Sequence, residues 1–164
     1  MSNIYQDVEN AVLAKFQADS WLGSTANVKT LVTDLPDTDL PVVDWTDLFK
    51  DSALPAVLIL SGLENPTVNE ETIREFRYEI PLKVLSVCMS RDTYDARNDA
   101  QEMAGQVERT LNACRTTQNA LAITGSGSLV KQVSSIIETQ RDEGARRCYG
   151  LAETKATVVV IRAY

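Results

Sequence analysis

The stretch REFRYEIPLKVLSVC, residues 74–88, is the most restrictive part of this sequence. Phe76, Tyr78, Ile80, Leu82 and Val84 form an unbroken apolar row, whereas the intervening positions run Glu75, Arg77, Glu79, Pro81, Lys83, Leu85 and Val87. A period of two is the mark of a strand, because successive side chains leave opposite faces of the pleat. The second row changes character half-way. The first half therefore needs one dry side and one wet or partner-facing side, and the second half needs cover on both. At about 3.3 Å per residue such a strand is roughly 50 Å long, more than a domain of this size needs to cross its own core. One end is expected to protrude.

The rest of the chain supplies partners for it. ALPAVLIL, residues 53–60, is a short apolar run ended by Ser61 and Gly62 and reads as a strand covered on both faces, antiparallel to the first. NIYQDVENAVLAKFQAD places Ile4, Val8, Ala11, Val12 and Phe16 at helical spacing, with Ser2 as the expected N-cap. From Asp92 to Thr116 the apolar positions Ala100, Met103, Ala104, Val107, Leu111 and Cys114 recur in steps of three and four. This is the longest expected helix, about 35 Å at a rise of ~1.5 Å per residue. SLVKQVSSIIETQ, residues 128–140, and LAETKATVVVIRAY, residues 151–164, read as two more long strands joined by the charged tip RDEGARRCYG. ENPTVNEETI, residues 64–73, reads as a polar connection, and Trp21 to Asp51 as a long loop with one short strand near Val28 to Val32. The expectation is a single α+β domain over residues 1–164. Its order is α-β-β-α-β-β, with one mostly antiparallel four-stranded sheet, helices packed on a face and long protruding strands.

Composition narrows the chemistry. With 44% hydrophobic residues in 164, a true core is available, yet no run reaches the ~18 apolar residues of a membrane span. MSNIYQDVEN has neither the basic start nor the apolar stretch of a signal peptide, so the protein is expected to be assembled in a cytoplasm. A net charge of −7 opposes adhesion to nucleic acid, which needs clustered cations to displace counterions. There is no histidine, which removes Ser-His-Asp and Cys-His nucleophile systems and most catalytic zinc sites. Cys88, Cys114 and Cys148 lie in separate segments without CxxC spacing and are expected to be buried free thiols.

No constellation in the chain points to catalysis, a cofactor or a metal. TGSGS, residues 124–128, lacks the third glycine of a dinucleotide fingerprint and the lysine of a P-loop, and it precedes a strand; it reads as a turn between helix and strand. The loop carrying Asp34, Asp37, Asp39, Asp44 and Asp47 has prolines and bulky apolar residues where a calcium loop needs its glycine turn. Arg141, Arg146 and Arg147 cluster at the hairpin tip beside Asp142 and Glu143, too small a patch for sequence-specific nucleic-acid binding. Glu75, Arg77, Glu79 and Lys83 alternate in charge along one strand face, which is either a solvated face or a subunit contact whose opposite charges set register. The candidate contact residues are Glu75, Arg77 and Glu79.

The layout resembles the tail terminator proteins, also called tail completion or neck proteins, of long-tailed bacteriophages. The likeness is carried by IYQDVENAVLAKF, LPAVLIL, REFRYEIPLKVLSV, YDARNDAQEMAGQVERTLNA and ETKATVVVIRAY in that order. The stretch DTDLPVVDWTDLFKDSALPAV is longer than its counterpart in that family. The resemblance implies a non-enzymatic virion protein forming a ring, expected to be a hexamer, that caps the tail tube and stops its polymerisation. Implied partners are further copies of the chain, the tail-tube or sheath protein and the head-tail connector, with genomic DNA passing the lumen without specific binding. Other readings are a head-tail adaptor or tail-tube subunit, and an α/β nucleic-acid-binding module.

Overall fold

The fold was determined as a computed structural model that describes residues 3–24, 26–35, 48–62, 66–72, 75–142, 144 and 146–163. Helix α1 spans Ile4–Ala18, followed by strands β1 (Thr30–Val32), β2 (Ala56–Ser61), β3 (Thr67–Thr72) and β4 (Glu75–Ser90). Helix α2 (Thr93–Ala113) and the long strands β5 (Ser126–Asp142) and β6 (Arg147–Ala163) complete the order. The class is α+β, as expected. Among the described residues the sheet has six strands rather than four, because β1 is an ordered edge and the polar connection contains β3.

The strands run β1-β2-β4-β6-β5 across the sheet, and all pairs are antiparallel except β1 with β2. β4 is the axis of this arrangement. One of its edges pairs with β6 along all sixteen residues, from Glu75 opposite Ala163 to Ser90 opposite Cys148. The other edge is shared in succession, by β3 against residues 75–79 and by β2 against residues 82–87. The charged half of β4 is thus not a bare ribbon, since both its backbone edges are hydrogen-bonded. β3 was unreadable in the sequence because TVNEET has no apolar alternation.

Both helices pack on one face of the sheet, here called the front. α1 buries Val8, Ala11, Val12 and Phe16, the expected stripe. Its cap is Asn3, whose side-chain oxygen accepts from the Tyr5 amide at 3.0 Å; the expected cap, Ser2, lies outside the described residues. Glu9 fastens the helix to β2 by accepting from both the amide and the hydroxyl of Ser61, at 2.8 and 2.9 Å. α2 starts at the cap Asp92 and buries Ala96, Ala100, Met103, Ala104, Val107 and Leu111. Alanines on its inner side allow a close approach to the sheet. It is so close at Gly150 of β6 that any Cβ there would run into the carbonyl oxygen of Ala96. With Ile80, Leu82 and Val84 of β4 and Val158 and Val160 of β6, these side chains form the main core.

A second, smaller core lies on the back of the sheet. Leu48, Phe49 and Leu54 fold over Ala56, Leu58, Leu85, Val87, Tyr149 and Leu151. The end of the long loop therefore supplies the second cover that Leu85 and Val87 required. Asp51 anchors it by accepting from the Tyr149 hydroxyl at 2.9 Å and pairing with Arg147.

Candidate subunit-contact surface

The back of the sheet changes beyond Lys83. Pairing puts Arg77 opposite Ile161, Glu79 opposite Val159 and Lys83 opposite Lys155, while Glu153 and Thr157 of β6 face Ile136 and Lys131 of β5. Directly paired residues share a face. This half of the back face is therefore a lattice of charged side chains with Ile161, 40% exposed, set into it, and Ile136, 62% exposed, borders it on β5 in the row of Glu153 and Leu85. Among the described residues neither apolar core takes in Val159, Ile161 or Ile136. A shallow cavity of about 230 Å³ lies in this half of the face, lined by Leu60, Pro81, Lys83, Gln132, Lys155 and Thr157 among others.

Two carboxylates organise the charges. Glu79 takes a hydrogen bond from Lys131 at 2.6 Å and one from Arg77 at 3.2 Å. Glu153 stands 3.7 Å from Lys83 and 3.6 Å from Lys155. That second contact resolves a conflict of register, since Lys83 and Lys155 are cross-strand partners and like charges placed opposite repel. The hydrogen bond from Lys131, aided by the positive charges of Lys131 and Arg77, holds the Glu79 carboxyl below its ordinary value of 4.5. A β-bulge between Lys131 and Ser134, with Gln132 at φ 56°, bends β5 beside this cluster, and Gln132 accepts from the Thr157 hydroxyl at 3.2 Å.

Of the expected contact residues, Arg77 and Glu79 are brought together in this network, while Glu75 is exposed at the start of β4. Lys131, Glu153 and Lys155 were missed. Each stands at a polar position of an alternating strand, so the alternation was visible, but the β4–β6–β5 register that gathers them was not.

Other chemistry is sparse. Among the described residues no three His, Cys, Asp or Glu side chains stand where they could hold a metal ion. All three cysteines are free and buried. Burial, with the negative charge of Asp99, pushes the Cys88 thiol up to about 12, and its sulfur donates to the carbonyls of Gly150 and Ala96 at 3.4 and 3.5 Å. Burial raises the Cys114 thiol as well. Neither is poised as a nucleophile at neutral pH. TGSGS forms the expected turn, with Gly125 at φ +69° just before β5. No helix among the described residues is long and apolar enough to cross a membrane.

No protein-family model and no curated protein matches the sequence. Among solved structures the chain is similar to one described as "Virion of native gene transfer agent (GTA) particle", at 14% identity and a TM-score of 0.51. The likeness covers 93% of this chain and 94% of that one. The two share a fold over nearly their whole lengths.

Proposed function

We propose that this chain is a structural protein of a phage-like virion, and more specifically a tail terminator. It forms a ring at the top of the tail tube, stops the polymerisation of the tube and presents a face to the head connector. The observation that carries the reading is the charged half of the back face, where Ile161 stands among paired charges on the doubly paired strands β4 and β6 and Ile136 is exposed on the adjoining edge strand β5. Patches of that composition are typical of docking surfaces. The fold likeness to a chain of a gene transfer agent particle supports the same class. A net charge of −7 suits a lumen through which DNA slides without sticking.

In this reading Glu75, Arg77 and Glu79 meet a neighbouring subunit. Arg77→Glu replaces the cation beside Glu79 with a second carboxylate and should weaken assembly while the monomer stays folded. Mass photometry and electron microscopy of the purified protein test the reading. Closed rings of one size support it; open filaments would identify a tube subunit instead, and a monomer at every concentration would sink it.

A further inference from the structure

The opposite end of β4 carries a feature that the ring reading leaves unused. A cavity of about 350 Å³ lies where β4 ends, α2 begins and the β5–β6 hairpin turns, lined by Arg91, Asp92, Thr93, Arg141, Arg146 and Cys148. Three of the lining residues are arginines. Among the described residues none of the three has an ion-pair partner, although ion pairs elsewhere engage Arg77, Lys83, Lys131, Arg147, Lys155 and Arg162. Asp92 is occupied as the helix cap, accepting from the Asp95 amide at 2.8 Å, and the first turn of the long helix α2 adds its own positive end.

The cavity residues carry +2 in a chain that is −7 in all, so everything outside it sums to −9. We propose that this arginine cavity receives carboxylates from a second copy of the chain. Guanidinium groups bind carboxylates in pairs of parallel hydrogen bonds, and three arginines around one cavity can take more than one acid. The charge also dictates the geometry of the contact. A two-fold dimer joined through this end would set arginines against arginines, so the partner must offer a different surface, and the contact runs head to tail. Head-to-tail contacts generate closed rings or filaments. The inference therefore rests on the assembly reading above and gives it a specific bond.

Sedimentation velocity of the full chain, over a range of protein and salt concentrations, tests it with Arg141→Glu/Arg146→Glu and the charge-keeping Arg141→Lys/Arg146→Lys, each checked for folding by circular dichroism. Both residues are exposed, so the fold should survive. The wild-type oligomer should loosen as salt rises, and the glutamate variant should need about tenfold more protein to assemble, with the lysine variant between them. A glutamate variant that assembles at the wild-type concentration with the wild-type salt dependence overturns this contact and leaves the ring standing. A wild-type chain that is monomeric throughout overturns the ring and this contact together. Duplex DNA binding at roughly 0.15 M salt that is lost in the glutamate variant would make the ligand a phosphodiester and overturn the second copy as occupant.

Discussion

The two halves of β4 share one strand, one partner in β6 and a neighbour on the other edge, β3 for one and β2 for the other, and they differ most in what lies behind them. Behind Leu85 and Val87 the chain has folded Leu48, Phe49 and Leu54 into a second core. Behind Arg77, Glu79 and Lys83 it has put charges, Arg77 paired with Glu79 along β4 and Glu79 and Lys83 paired across strands with Lys131 and Glu153. Both halves are hydrogen-bonded along both edges, so it is burial on the second face that separates an interior from a surface. A strand long enough to serve both purposes lets the stable half hold the other in a fixed conformation for a partner to meet.

The comparison can be broken at four places. Leu58 is fully buried in the back core, opposite Leu85, and Leu58→Ala should cost about 2 to 5 kcal/mol in chemical denaturation. A loss well under that would mean that the loop cover is loose and the two halves are more alike than they look. Gly150→Ala should cost roughly 1 to 3 kcal/mol, because α2 has to move off β6 to make room at Ala96; an unchanged unfolding midpoint would show that the helix does not press on the sheet there. Glu79→Gln should have a smaller, salt-sensitive effect on thermal stability, because the groups it pairs with are partly exposed. Since the folded carboxyl titrates below 4.5, its contribution is present above that pH and fades as pH falls through the folded value, so variant and wild type should converge in acid. A gap that persists in strong acid would assign the effect to packing. Ile136→Ser, at a residue 62% exposed, should move folding stability by no more than about 0.5 kcal/mol. In the ring reading the same change weakens assembly, and mass photometry would separate the two effects.

What could be read from the sequence follows from the same contrast. β4, α1 and α2 were legible because each buries a periodic stripe, and periodicity is a local property. The turn at Gly125 and the apolar run of β2 were legible for similar reasons. β3 was not, because its partner is the charged half of β4, and a strand next to a wet surface has no need of an apolar row. Nor was the work of Leu48, Phe49 and Leu54, three residues of a loop whose value lies in the long-range contact with Leu58 and Leu151. In the candidate surface the β4 residues Arg77 and Glu79 were found. Lys131 and Glu153 were not, because a charge network that crosses three strands depends on register, and register depends on pairings between residues fifty and more positions apart.

The place of β6 in the sheet has a consequence for how the chain is made. β4 and β5 never pair with each other, and β6 stands between them along their whole length. While the ribosome is still adding α2 and β5, β4 can close only the edge that faces β2 and β3, and its other edge waits. The hairpin of β5 and β6 must then slot in as one piece, with sixteen register positions to satisfy at once. Pairings this distant in sequence make for slow folding, on the order of milliseconds to seconds. A stalled or shortened chain would therefore expose the edge of its own central strand, which makes the nascent protein more prone to stick to its siblings than the finished one.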